Sequence, residues 1–245
     1  MRNLNEHWQN AIIWKYQQTN DNRKWHVSRT HVRWSEILHL PYYNPIRHLI
    51  IDSMHCLFLE IAYWIMKKLW IDGGKINRHD LELMERQAKA IKVPADLGRI
   101  LYKIATEKGF SRFMADQWKS FILIYATLLM WNLLEDLDQK ILSNFMRACI
   151  LLVSHIMDTN TLDEIHDRLL KVACLIEENY GKEMITPNIH LSLHIIECCR
   201  DYGPLYTFWC YSFEQMNGIL GECMSIFYQI CIFFSYYLVF RFISK

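Results

Sequence analysis

The sequence is poor in glycine (8 residues) and proline (5), and its net charge is only +1 over 245 residues. Scarce glycine and proline beside 52% hydrophobic residues exclude a collagen-like, linker-like or disordered chain. A near-zero net charge removes the basic excess typical of proteins that grip nucleic acid by its phosphates, so any such surface has to be local. Met1 to Glu6 form no apolar core of a signal peptide, so no secretory leader is expected. The 8 cysteines are scattered or adjacent (Cys198–Cys199), not spaced as a disulfide framework. They read most simply as reduced thiols of a cytosolic or nuclear protein.

What is present is helical periodicity. Apolar residues recur at helical spacing over 4–18, and Thr19-Asn20-Asp21-Asn22 interrupts them. Residues 23–45 are basic and aromatic, and Pro41 and Pro45 argue for an irregular connector. Helices are expected over 52–70, stopped by Asp72-Gly73-Gly74, and over 78–91, ahead of Pro94. A loop with Gly98 and Gly109 follows, then helices over 115–134 and 137–157. Thr161 and Glu164 have capping-box spacing for a helix that ends near Gly181. Thr186-Pro187 places a cap residue and a proline at the start of the next helix, which ends near Gly203-Pro204. A last helix is expected over 208–222. No alternating run makes a convincing strand, so the expected fold is an all-α bundle of about eight helices.

Three regions follow: an N-terminal helix and basic connector (1–45), a helical domain (46–222) and an apolar tail (223–245). The tail, from Cys223 to Ile243, is nearly uncharged until Arg241, and its length of roughly 20 residues suits a membrane span. Gln229 and Ser225 inside it favour a buried helix or a non-coding extension instead.

Three motifs, taken in order, carry a resemblance. The first is Val32-Arg33-Trp34-Ser35-Glu36-Ile37-Leu38, with Leu40-Pro41-Tyr42-Tyr43 and Ile51-Asp52-Ser53-Met54-His55. The second is Pro94-Ala95-Asp96-Leu97-Gly98-Arg99-Ile100, with Gly109-Phe110-Ser111 and Ala115-Asp116-Gln117-Trp118-Lys119. The third is Pro187-Asn188-Ile189-His190 with His194, then Gly203-Pro204-Leu205 and Phe208-Trp209-Cys210-Tyr211-Ser212-Phe213-Glu214. Together they resemble the C-terminal part of the catalytic region of CACTA-type (Tnp2-like) DNA transposases, particularly the fungal form.

The resemblance implies the helical insertion of a ribonuclease-H-like DDE transposase, whose three acidic residues hold Mg2+ for cutting and joining transposon ends. Glu214 matches the third acid, and Asp52-x-x-His55 matches an Asp/Cys-x-x-His signature near the start of the insertion. The first two acids lie on upstream strands in that family, and nothing before residue 25 resembles such strands. The expected protein is therefore a truncated, catalytically incomplete relic. Its expected setting is the nucleus, and its expected partners are transposon DNA and a full-length transposase. The alternative is a non-enzymatic helical interaction protein, anchored to a membrane by residues 223–243.

The resemblance also suggests a zinc set of His55, His190 and His194, with Asp52 or Cys56 as the fourth ligand; a hydrogen-bonded Asp–His cluster without metal is the plainer reading. Cys198 lies two turns from His190, about 12 Å along a helix, so Cys198 and Cys199 read as core. Arg23, Lys24, Arg29 and Arg33, interleaved with Trp25 and Trp34, form the candidate DNA-facing stretch, against the reading of a solvated connector. The stripe from Trp118 to Trp131 reads as core, and Asp96 and Asp116 are not taken as catalytic.

Overall fold

The structure, a computed structural model, describes residues 3–94, 104–106, 110 and 113–223. Every regular element among them is helical. The described residues fall into two compact units that divide at Ile50–Ile51, so residues 46–50 lie with the N-terminal one. The segment 95–103, with Asp96, Gly98 and Arg99, lies outside the described residues, as do Gly109, Ser111 and the tail beyond Cys223. Among the described residues no helix is long and apolar enough to cross a membrane.

The N-terminal unit is a helix pair. Helix α1 (Leu4–Lys15) starts where the Asn3 side chain accepts the Asn5 amide. Helix α2 (Asn20–Thr30) occupies part of the stretch expected to be irregular. Thr19 caps it by accepting the Asn22 amide at 3.2 Å, and the prolines that argued against a helix lie beyond its end. His31, in the left-handed region with φ 53°, closes α2. Ala11, Val32 and Leu38 form a small core, against which Trp8, Trp34 and Tyr43 pack. His26 ties the two helices through its Nε2 and the Asn10 carbonyl, 2.9 Å apart.

The second unit is built around α3 (residues 53–71), most of which is wound with i→i+5 hydrogen bonds in Met54–Ala62 and Ile65–Ile71. Its Leu57, Phe58, Ala62, Met66 and Trp70 are fully buried. Helix α4 (Arg78–Ala90) follows, opened by a reciprocal capping box between Asn77 and Asp80. The expected helix over 115–134 is α5 (residues 115–130), which tightens into a 3-10 turn at Trp131–Leu133. Trp118, Phe121 and Tyr125 on α5 are core, and Trp118 and Phe121 join Phe110 and Phe113 in an aromatic cluster. The stripe behaves as expected at its start, whereas Trp131 is 40% exposed.

Helices α6 (Asp136–Leu152) and α7 (Thr159–Tyr180) pack along each other. The start of α7 differs from the capping box expected at Thr161 and Glu164. Asp158 is the cap, accepting the Thr161 amide at 2.7 Å, and Glu164 reaches across to Arg147 of α6. Gly181, at φ 101°, ends α7 in a backbone conformation that side-chain-bearing residues rarely adopt. Helix α8 (Pro187–Ser192) begins at the expected Thr186-Pro187, with Thr186 Oγ1 accepting the Ile189 amide. The expected single helix then breaks at Leu193–His194 before α9 (Ile195–Tyr202). Helix α10 (Tyr211–Cys223) follows a 3-10 turn at Leu205–Thr207. Helices α5 and α8 both lie against α3, which brings the start of α3 and its neighbours into one locality.

Candidate functional site

Asp52 lies directly ahead of α3, and its carboxylate is 3% exposed. Its Oδ2 accepts the His55 amide at 3.0 Å, and its Oδ1 lies 3.4 Å from the Met54 amide, so it caps the first turn of the helix. The same Oδ2 sits 2.5 Å from His55 Nδ1. From the far end of the chain, 158 residues on, the Cys210 amide donates to Oδ1 at 2.8 Å. Burial is the largest influence on this carboxyl and works to raise its pKa. The His55 ring and the amides of His55 and Cys210 outweigh it and hold the group below the ordinary aspartate range.

His55 has its Nε2 4.0 Å from Glu214 Oε1 on the first turn of α10. Glu214 is positioned by its helix: its amide donates to the Cys210 carbonyl at 2.8 Å, opening α10 one turn after Cys210. The carboxylate is about half exposed (46%), while the His55 side chain is 11% exposed. Asp52, His55 and Cys210 form a group whose potential ligand atoms all lie within 4.8 Å of one another. Burial first, then the negative charge of Asp52, its bond to the thiol and the charge of Glu214, push Cys210 up to about 12. The result is a cluster that carries a carboxylate, an imidazole and a thiol, with a second, more exposed carboxylate beside the imidazole.

Two ties hold α10 in place. Tyr211 donates its hydroxyl to the Ala115 carbonyl at the start of α5, at 3.1 Å. Lys119, on the next turn of α5, sets its ammonium 4.4 Å from the Tyr211 ring and 5.3 Å from the Trp209 ring. Burial lowers the Lys119 pKa, and nearby Asp116 opposes that shift.

The sequence-expected residues divide clearly. Asp52, His55 and Glu214 come together. Cys56 turns away from them, its thiol donating to the Asn188 carbonyl of α8 at 3.4 Å, and burial pushes its pKa upward. His190 is exposed because Ile189 and Ser192 are the residues α8 buries. Its ring meets that of His194, 5.2 Å between centroids, and His194 Nδ1 pairs with Glu197 at 3.3 Å. The four-residue spacing thus does bring the two rings together, but at the surface end of α8 and outside the Asp52–His55–Cys210 group. Cys198 and Cys199 are buried.

In the N-terminal unit the four basic candidates have different settings. Arg23 is half-buried, stacked 4.9 Å from the Trp14 ring and donating to the Lys15 carbonyl. Lys24 is exposed beside Asp21, at 4.0 Å, and Arg29 lies 4.9 Å over the exposed Trp25 ring. Arg33 is partly buried after α2. Lys24, Trp25 and Arg29 therefore form the outward basic and aromatic face, while Arg23 serves the helix pair.

Cys210 and Lys119 were not singled out from the sequence. The spacing of Cys210 and Glu214, one helical turn, was a usable signal for the first. Nothing local points to Lys119, whose aromatic neighbours lie about ninety residues away in the chain. The chain matches no protein-family model, none of the curated proteins compared and no solved structure.

Proposed function

We propose that this chain is a transposase-derived helical protein of the CACTA type that no longer cuts DNA by the ancestral magnesium chemistry. One observation carries the reading most strongly. The Asp52-x-x-His55 pair and Glu214, which belong to the first and third motifs of the resemblance, come within 4.0 Å although a long stretch of helices separates them in the chain. The order of the three motifs is the second support.

The residues gathered around Glu214 do not fit a magnesium pair. Mg2+ takes oxygen ligands in near-octahedral geometry, and two of the four groups here offer nitrogen and sulfur. The second carboxylate, Asp52, is buried and already engaged by His55 and backbone amides. No strand-transfer step follows from such a set. What the chain retains on this reading is the helical scaffold and, in the N-terminal unit, the Lys24–Trp25–Arg29 face for DNA. A full-length transposase is the further partner, and the nucleus is the setting.

A nicking assay on terminal-repeat DNA, with magnesium or manganese added, tests the proposal. The purified chain is expected to leave the DNA intact, and metal-dependent nicks that vanish in Glu214→Gln would refute it. A second reading, a non-enzymatic interaction protein, is favoured by the exposed Met114, Phe213 and Met216 (65, 61 and 54%) on the paired starts of α5 and α10. Its membrane-anchored form depends on residues 223–243, and partition into detergent separates that form from the first reading.

A further inference from the structure

We propose that the outward face of α2 binds single-stranded nucleic acid, with the Trp25 ring stacked on an unpaired base and Lys24 and Arg29 on the flanking phosphates. The inference rests on the reading of this face as a DNA contact, and it fixes which form of nucleic acid the face takes.

Charge is unevenly placed along the chain. Residues 15–33 hold Lys15, Arg23, Lys24, Arg29 and Arg33 against Asp21 alone, in a chain whose net charge is only +1. Helix α2 sorts these side chains by face. His26 is buried and joined to the Asn10 carbonyl, and Arg23 is engaged by the Trp14 ring and the Lys15 carbonyl. Lys24, Trp25, Ser28 and Arg29 are exposed, and the four-residue spacing of Trp25 and Arg29 puts them side by side on one face.

Trp25 is 60% exposed, and the Arg29 guanidinium sits 4.9 Å from its ring centroid. With one side of the indole covered by the cation, that exposure leaves the other side open at the surface. Among the described residues Arg29 enters no ion pair. The acid beside Lys24 is Asp21, 4.0 Å away, and both of those side chains lie almost wholly in water. Such a pair is weak and screened, so both cations remain available to phosphate. A ring set among cations takes any base by its flat face. It needs an unpaired base to do so, because the bases inside a duplex are already stacked on both sides.

Fluorescence anisotropy of labelled oligonucleotides with the full chain tests this. An oligothymidylate of about 15 nucleotides is expected to bind more tightly than a duplex of the same length at the same salt. Trp25→Ala is expected to weaken that binding at least about fivefold, and Trp25→Phe, which keeps a ring, to retain most of it. Replacing Lys24 and Arg29 together by Ala is expected to reduce the salt slope by about 1.4, the value for two phosphate contacts. An oligouridylate in the same assay distinguishes RNA from DNA as the source of the strand. Duplex binding as tight as that of the single strand overturns the inference and leaves the DNA-contact reading in place. Single-strand binding untouched by Trp25→Ala overturns the inference as well, and failure of both forms to bind overturns the two together. Should Trp25→Ala lose helix by circular dichroism, ultraviolet crosslinking of the wild-type complex decides. A crosslink at Trp25 is the expected result, and none there refutes the stacking.

Discussion

Asp138 and Asp52 are both buried carboxylates of the second unit, 0% and 3% exposed, and the fold compensates them in opposite ways. Asp138 is closed off by side chains from three elements. Trp70 Nε1 at the end of α3 donates to it at 2.8 Å, Lys75 Nζ reaches it at 2.5 Å, and the Tyr180 hydroxyl at the end of α7 donates to it as well. Lys75 also lies 5.1 Å over the Tyr180 ring. Burial works to lower the Lys75 pKa, but its bonds to Asp138 and Tyr180 raise it above the usual lysine range. Burial, then the bond to Asp138, pushes the Tyr180 phenol up to about 12.

Asp52 is satisfied mainly by backbone amides and one imidazole, and that imidazole faces a half-exposed glutamate. A buried carboxylate closed off by side chains from three elements braces the fold. One whose partner looks outward leaves a surface on which chemistry can occur. The contrast separates a structural ion cluster from a candidate site when both show strongly perturbed groups.

The largest test of this contrast is Asp138→Ala. It leaves Lys75 and the Trp70 and Tyr180 donors without their shared acceptor, so about 3 kcal/mol of unfolding free energy is expected to be lost in urea titrations. The water-facing side of Lys75 keeps the loss at the low end for a buried pair. Asp52→Asn, measured in metal-free protein, is expected to cost about 2 kcal/mol, the scale of hydrogen bonds to a charged group.

The pH dependence sharpens this prediction. The Asp52 pKa is depressed in the folded chain, so its contribution is complete above the unfolded value of 3.8 and fades as pH falls through the lower folded value. Wild type and Asp52→Asn should therefore differ by a constant amount at neutral pH and converge only below about pH 3.8. Convergence near neutral pH would mean that Asp52 is not the ionised partner described.

Tyr180→Phe removes one of three donors to Asp138 and is expected to cost about 1 kcal/mol by thermal unfolding, with the alkaline phenol titration lost. The smallest effect is expected from Arg147→Ala. Its pair with Glu164, at 3.0 and 3.3 Å, joins α6 to α7 at the surface, so solvent screens it and the loss should be the smallest of the set, falling further in high salt.

Much of the helical layout was legible because its signals are local. Thr186-Pro187 starts α8 where a cap and an N1 proline belong, and Gly181 and Gly203 close α7 and α9 with positive φ. Helix α2 is hard to read locally, because its composition is basic and aromatic and its start depends on the Thr19 cap, while Pro41 and Pro45 restrict only the chain beyond it. The cap of α7 was misplaced because Asp158 and Thr161 offer competing start signals, and only the chain path at Ser154–Asp158 chooses between them. In the candidate site, Asp52, His55 and Glu214 stood out by motif. The outward turn of His190, the diversion of Cys56 to Asn188 and the entry of Cys210 could not be read from spacing, because each depends on which face a neighbouring helix covers.

By itself, then, the sequence determined that the regular elements among the described residues are helical and where most of those helices begin and end. These outcomes depend on periodicity, caps and glycine conformation, which act within a few residues. Only the tertiary structure decided that Asp52 and His55 meet Cys210 and Glu214 and that Asp138 is sealed by Lys75, Trp70 and Tyr180. Those contacts join residues far apart in the chain, and whether a charged group is braced or left with an open face depends on the packing of the helices between them.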